Sequence, residues 1–321
     1  MTRDAASTRT QILQRLADGK FHSGEGLAGE FGISRTAIAN HIKALGELGL
    51  DIFSVKGKGY CLADPITLLS TAAINALLPE SARLPLTVLP IIDSTNNYIK
   101  QHIEQLPNGQ VVVAEAQTAG RGRRGKTWVS PFASSLYLST CWRFQGGFQQ
   151  VAGLSLFVGI TIIQALQALN IDGLAIKWPN DIYRHGEKLG GILVEIEGQI
   201  DTQVNCIIGI GINVNLPDVT AQIDQPFTDL SDLALDRNQL CAAIIQALST
   251  GLPEFASHGL DPIVGIWNEW DIFYQQPVSI HSQGRVVEGI NQGIDAQGAL
   301  LLETPKGQQI IHAGEVSLRG R

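Results

Sequence analysis

The chain has 321 residues, 44% of them hydrophobic and 17% charged, with no compositionally biased tract. That length calls for two or three domains, and the composition for a globular protein, which excludes a disordered or fibrous chain. A formal net charge of −7 excludes a molecule drawn as a whole to nucleic acid, so any DNA contact must come from a local patch.

The opening MTRDAASTRTQ lacks the apolar stretch of a signal peptide. Residues 1–63 then read as a winged helix-turn-helix. Ile12, Leu13 and Leu16 give a first helix its apolar stripe, with Thr8 or Thr10 available to cap it. Ser23 is placed to cap a second helix, Gly32 supplies a tight turn, Ile33 plugs the core and Ser34 caps a third helix. Ile38, Ile42 and Leu45 recur at i, i+4 and i+7 and face inward. Ser34, Arg35, Thr36, Asn40, His41 and Lys43 are left on the outer face, as in a helix that enters the major groove. Next, DIFSVKGKGYCL alternates around a Gly-containing tip that carries Lys56 and Lys58, the pattern of a basic wing. Residues 1–64 hold eight Lys/Arg against seven Asp/Glu, whereas the remainder holds 15 against 23. The competing reading of this module is a protein-interaction or allosteric unit.

Asp64-Pro65 begins a linker, followed by a short helix over Leu68–Leu78. Residues 64–270 form the central domain of an α+β protein, a mixed sheet with helices on one face. Its strand candidates are LTVLPIID, QVVVAEAQ, SSLYLSTCW, LAIKWPNDIY, GGILVEIEG and VNCIIGIGINV. Its helices are Ser94–Ile103, about Gln149–Asn170, and about Arg237 to Phe255. Because three strand runs follow one another after Lys177, hairpins are expected there rather than regular β-α-β winding. No charge occurs from Phe144 through Ile171. With Gln164, Gln167, Ser155 and Thr161 inside it and no basic flanks, this stretch reads as a buried core helix, not a membrane span. Residues 271–321 are short alternating runs between Gly-containing turns, a small β-barrel. The four cysteines, Cys61, Cys141, Cys206 and Cys241, show no C-x-x-C pair or histidine spacing, which fits a reducing cytosol rather than a zinc site or disulfides.

The densest chemical signal is GRGRRGKTW, Gly120–Trp128. It satisfies the P-loop expression (Gly120, Gly125, Lys126, Thr127) and the dinucleotide fingerprint (Gly120, Gly122, Gly125) at once. Both need a helix immediately afterwards, and Pro131 with the alternation of Leu136 and Leu138 argues against one, so both readings are rejected. What remains is a loop whose glycines let backbone N–H groups crowd an anion, with Arg121, Arg123, Arg124 and Lys126 adding positive charge. The bland reading is a solvated basic loop. Asp93-Ser94-Thr95-Asn96, Lys177-Trp178-Pro179-Asn180-Asp181, Lys188-Leu189-Gly190-Gly191 and Gly209-Ile210-Gly211-Ile212-Asn213-Val214-Asn215 add amides, hydroxyls, a carboxylate and cations in one domain.

These motifs, in this order, resemble those of the biotin protein ligases, and the winged helix in front makes the chain similar to the bifunctional ligase and biotin operon repressor branch. The resemblance covers all three regions. One departure is Gly190, where the family usually has alanine. The resemblance implies formation of biotinyl-5′-AMP from biotin and Mg-ATP, then transfer of biotin to a lysine of a biotin carboxyl carrier protein. By position it implies that Ser94, Thr95, Asn96 and Gln117 hold the biotin head group, and that Gly120, Arg121, Gly122 and Arg123 fold over the adenylate. Arg123 would meet the carboxylate and phosphate charge, with Arg124 beside it, and Lys188 the reacting oxygens. Trp128 would pack on the adenine side, Asn180 and Asp181 would orient phosphate, and Asn213 would contact the adenylate. No protein metal site is implied beyond Mg²⁺ carried by ATP, with Asp181 as its protein partner. Also implied are operator DNA as a partner, biotinyl-5′-AMP as corepressor, a ligand-promoted homodimer, a cytoplasmic location and no membrane. Alternatives are a lipoate-attaching enzyme of the same fold, a ligand sensor without catalysis, and a ligase whose winged helix no longer binds DNA.

Overall fold

The computed structural model describes residues 5–47, 49–198, 203–216, 223, 225–282, 285–313 and 316–320. The first module consists of α1 (Ala5–Leu16), α2 (Gly24–Phe31), α3 (Arg35–Gly46) and the hairpin β1 (Ile52–Val55) and β2 (Gly59–Leu62). Ser23 and Ser34 cap α2 and α3, their hydroxyls accepting from the amides of Gly26 and Ala37. Between them Gly32 turns the chain at φ 67°, a left-handed conformation that costs glycine little. Ile38, Ile42 and Leu45 pack on Ile12, Leu13, Leu16 and Leu27, as their spacing requires. Thr8 and Thr10, by contrast, do not cap α1. The helix is already under way at Ala5, because the alanines ahead of the threonines are strong helix formers.

This module is seated on the rest of the protein rather than tethered to it. Ala116 and Phe132 are buried in the same apolar cluster as the helix-turn-helix. The connecting segment is also held by buried polar groups. Arg237 donates to the Thr67 carbonyl and pairs with Glu115 at 2.7 Å, and Glu115 in turn accepts the amide of Leu69. Asn238 accepts from the Ser70 amide and donates to the Leu68 carbonyl. After this clasp comes α4 (Thr71–Leu77), capped by Ser70.

The central sheet comprises β3 (Leu86–Ile92), β4 (Val111–Gln117), β5 (Ser135–Gln145), β6 (Leu174–Lys177), β7 (Asp181–Arg184), β8 (Glu187–Gly198) and β9 (Gln203–Asn213). Their order is β3-β4-β5-β9-β8-β7-β6. Only β3 and β4 run parallel, joined by a crossover through α5 (Thr95–His102); the remaining pairs are antiparallel, so the sheet is mixed. The run LAIKWPNDIY makes two strands instead of one, parted at the cis Trp178–Pro179 bond.

Helix α6 (Leu154–Ala168) is the charge-free stretch, and 11 of its 15 residues are buried. It is shorter than expected because Gly153 and Asn170 both take positive φ and bound it. With α7 (Arg237–His258) it covers one face of the sheet, meeting Val113, Leu138 and Ile210. Helices on one face only is the expectation that fails: α5 lies on the other, where Ile99 packs on Val112, Cys141 and Ile207. Successive strand residues point to opposite faces, so the continuous run Val111–Val113 was a sign of a strand buried on both sides.

The last region forms β10 (Pro277–Ser282), β11 (Arg285–Ile294), β12 (Leu300–Thr304), β13 (Gly307–Ile311) and β14 (Val316–Gly320). This five-stranded antiparallel sheet has the order β13-β12-β11-β10-β14. It shares the main core with the central sheet, and Trp178 donates its indole N–H to the Gly298 carbonyl at 3.0 Å. At the junction, Asp271 accepts from Asn291 at 2.7 Å and from Trp267 at 3.2 Å, and burial pushes its carboxyl above the ordinary value.

Candidate active site

One cavity of about 230 Å³ opens at the end of the central sheet, between the N-terminus of α5, the Gly120–Trp128 loop and strands β7, β8 and β9. One end of it is neutral and polar. Thr95 donates its amide to Gln117 Oε1 at 2.9 Å, and Gln117 Nε2 donates to Ser130 Oγ at 3.1 Å. Ser139 Oγ lies 2.7 Å from Thr95 Oγ1 and 2.6 Å from Asn96 Oδ1. Asn96 also donates to Glu195 at 2.7 Å. Ser94, Thr95 and Asn96 are buried, and a side chain on Gly209 would collide with Asn96 at 2.4 Å. Glycine in β9 therefore makes room for the amide.

The Gly120–Trp128 loop is a β-turn-like finger, with no helix after it. Gly122 donates to the Lys126 carbonyl, Trp128 donates to that of Gly120, and Arg124 and Gly125 reverse the chain at φ 57° and 71°. This is the geometry behind the rejection of both phosphate-loop patterns. Gly120 does not line the cavity. It lies at the foot of the finger, where a Cβ would sit 2.5 Å from the Trp128 carbonyl. Arg121 turns toward α5 and β8, donating to Asn97 at 2.6 Å and pairing with Glu195 at 3.2 Å. Arg123 points inward and donates to Asn180 Oδ1 at 2.9 Å, and burial holds its guanidinium below its ordinary pKa against the pull of Asp181. Arg124 and Gly122 also border the cavity.

The opposite end is ionic. Lys188 Nζ sits 2.8 Å from Asp181 Oδ1, both side chains being less than one-fifth exposed. The β-strand register explains the meeting: Ile182 pairs with Gly190 but Tyr183 with Lys188, so a bulge re-aims the lysine. The same ammonium lies 5.6 Å over the ring of Trp128, whose Nε1 is buried without a hydrogen-bond partner. The ring rests on the glycines of β8 and β9, because a Cβ on Gly211 would be 2.6 Å from it. Asn180 is fixed by donating to the Ile192 carbonyl, and Asn213 by donating to that of Thr228. Lys177 shares the cavity wall, and burial lowers its ammonium pKa while Asp181 opposes the shift. Gly190 is not interchangeable with alanine here, since a Cβ would lie 2.5 Å from the Gly211 carbonyl oxygen.

Residues 88–213 match the Biotin/lipoate A/B protein ligase family, residues 275–319 the Biotin protein ligase C terminal domain, and residues 8–61 an HTH domain. Over 311 residues the chain is 43% identical to the Bifunctional ligase/repressor BirA of Salmonella typhimurium, covering 96% of each protein. The protein of the same name from Bacillus subtilis is 30% identical over 309 residues, 94% of this chain and 95% of its own. This chain belongs to the biotin protein ligase family. A solved family member, the biotin protein ligase from Aquifex aeolicus in complex with biotin and ATP, matches with a TM-score of 0.65 at 28% identity, over 74% of this chain and 99% of its own.

Of the residues expected at a ligase centre, the fold brings Ser94, Thr95, Asn96, Gln117, Arg121, Gly122, Arg123, Arg124, Trp128, Asn180, Asp181, Lys188 and Asn213 to one cavity. Asn215 lies elsewhere, in a hollow beside Thr67 and Asp236. Sequence reasoning missed Glu195, Ser139 and Phe227. Glu195 and Ser139 look like ordinary alternating strand residues, and the sequence around Phe227 has no apolar period to read. The outward set Ser34, Arg35, Thr36, Asn40, Lys43, Lys56 and Lys58 is exposed on the winged helix. His41 is half-buried instead, and burial lowers its pKa.

Proposed function

We propose that this protein condenses biotin with ATP to biotinyl-5′-AMP, passes the biotinyl group to a lysine of a biotin carboxyl carrier protein, and represses biotin genes when it carries the adenylate. The observation that supports this most is the joining of a neutral amide-lined end to a cationic end in one cavity. A ureido ring demands fixed donors and acceptors, which Thr95, Asn96 and Gln117 with Ser94 supply. A carboxylate meeting a phosphate demands positive charge held in place, which Arg123 and Lys188 supply.

In the first step a carboxylate oxygen of biotin attacks the α-phosphorus, and the bond to the pyrophosphate oxygen breaks. Lys188 and Arg123 are set to offset the negative charge gathered there, Asn180 to steady Arg123, and Arg121, Gly122 and Arg124 to lie along the ligand. In the second step the carrier ε-amine, having lost a proton, attacks the acyl carbon and AMP leaves. Lys188 is again at the reacting oxygens, and no enzyme nucleophile is needed. Asp181 is the carboxylate bordering the cavity among the described residues. One carboxylate plus substrate phosphates is the usual donor set for Mg²⁺, so Asp181 fits that role. Bound with ATP, the ion would neutralise polyphosphate charge. Trp128 and Asn213 are assigned to the adenylate side, and Gly120 to the hinge of the finger.

For repression, Ser34, Arg35, Thr36, Asn40 and Lys43 would face operator bases and phosphates, with Lys56 and Lys58 on the backbone. One such module buries too little surface for tight binding, so a homodimer promoted by the adenylate is the working unit in the cytoplasm. The reading divides the chain into a DNA-binding domain (1–63), a catalytic domain (64–270) and a C-terminal domain (271–321).

The test is to incubate the purified chain with ATP, Mg²⁺, labelled biotin and a carrier domain. Labelled carrier is expected, and its absence overturns the ligase reading. Lys188→Ala should slow single-turnover adenylation by roughly two to three orders of magnitude, the loss typical of one charge-stabilising donor. A gel-shift with operator DNA should tighten when biotinyl-5′-AMP is added.

A further inference from the structure

Arg184 ends β7, three residues after Asp181, and its side chain is only 5% exposed. Strand β7 runs into the exposed residues 185–187, and the guanidinium is covered by the carboxylates around it. It donates two parallel hydrogen bonds to Asp232, Nη1 to Oδ1 at 2.6 Å and Nη2 to Oδ2 at 2.7 Å, and a third from Nη1 to the Asp229 carbonyl at 3.2 Å. Asp172 adds a carboxylate 3.7 Å away, and Nε is buried with no partner. A fork held by a bidentate carboxylate is the strongest geometry available to an arginine, and so it fixes a position as well as a charge.

What it fixes is the segment that walls the cavity on the side of Lys188. Phe227 lines the cavity and pairs with Lys188 as a parallel bridge, and Thr228 donates its amide to the Lys188 carbonyl at 3.0 Å. Asn213, also in the wall, donates to the Thr228 carbonyl. Asp229 then ties the segment to the end of β9 by accepting from the Leu216 amide at 2.9 Å, while Leu230 donates to the Val214 carbonyl. Arg184 grips both Asp229 and Asp232, so one side chain joins the strand that carries Asp181 to the segment that backs Lys188. The amides at Thr95, Asn96 and Gln117 lie on α5 and β4 and bond to one another and to Ser130, Ser139 and Glu195, on the other side of the cavity wall from this clasp.

We propose that Arg184, with Asp232, is a positioning pair for the nucleotide half of the site: it sets Phe227 and the Lys188 backbone in register for ATP and the adenylate, and leaves biotin capture alone. This rests on the ligase reading above. Asp232 is 57% exposed, so its truncation opens no core cavity, and Asp172 and the Asp229 carbonyl remain beside the guanidinium; Asp232→Ala therefore removes the fork without leaving the charge unattended. Arg184→Leu and the conservative Arg184→Lys complete the set.

Removing a charge-assisted pair of bonds should raise KM for ATP, and the dissociation rate of biotinyl-5′-AMP, by about tenfold in Asp232→Ala. KM for biotin and the thermal midpoint should change little in that variant. Arg184→Lys should restore part of the loss relative to Arg184→Leu, because a point charge cannot make the fork. Arg184→Leu and Asp232→Ala combined should be no worse than Arg184→Leu alone. Equal rises in KM for ATP and biotin, or a fall in thermal midpoint with unchanged KM values and adenylate release, would make the pair purely structural and overturn the proposal. If the unaltered chain forms no adenylate from biotin and ATP, the ligase reading fails and the positioning role fails with it. If it does and only the variants behave as wild type, the positioning role alone falls.

Discussion

At the scale of single residues, the site is built as much by missing side chains as by present ones. Gly209 leaves space for Asn96, and Gly211 for the ring of Trp128. Gly211→Ala is therefore expected to displace the indole from its seat, since backbone strands β8 and β9 cannot give way as a flexible side chain could. Affinity for biotinyl-5′-AMP should fall by about tenfold, the scale of one lost well-packed contact, while biotin binding measured alone by calorimetry stays near wild type. Unchanged adenylate affinity would show that the ring has room to shift. The cluster around this seat was largely legible in the sequence, because Lys188, Asp181, Asn180 and Arg123 each occur in a short motif that puts a charged or amide group beside glycine or proline. Glu195 was not. Its role depends on Arg121 and Asn96 arriving from two other elements, and nothing in VEIEG distinguishes it from a solvated strand residue.

At the scale of elements, local chemistry and periodicity located the helices that carry their own punctuation. Ser23 marks the start of α2, and Gly32 and Ser34 mark the turn from α2 into α3; the structure uses all three as cap or turn. The start of α1 was misplaced: Thr8 and Thr10 lie inside the helix, beyond its first described residue, Ala5. The face covered by α5 was also missed, since an uninterrupted apolar strand says that both sides are buried but not by what. The caps permit a clean test of the DNA-binding element. Ser34→Ala removes the acceptor for Ala37 N–H at the start of α3 and should cost about 1 kcal/mol of that module's stability. Operator affinity should weaken with it, because Arg35 and Thr36 sit in the first turn, and adenylation should be unaltered. A gel-shift series beside a single-turnover adenylation assay reads both. Equal losses in both assays would mean that α3 stability is transmitted to the catalytic centre.

At the scale of the whole molecule, the relation between the winged helix and the central sheet is set by two kinds of contact. Ala116 and Phe132 offer an apolar seat, and the Glu115–Arg237–Asn238 group grips Thr67 through Ser70. Both partners of the ion pair are at most 6% exposed, so the grip is barely screened by salt. The connecting peptide is consequently no leash. In the proposed dimer the two reading helices would stand apart like the points of a locked calliper, so that the DNA would be measured as well as read. Inserting two glycines after Pro65, ahead of the gripped residues, should let the points drift: affinity for an operator with native half-site spacing falls, and tolerance for spacings altered by one or two base pairs rises. A spacing series in gel-shift assays, with the adenylate present throughout, would reveal whether the gauge has been unlocked.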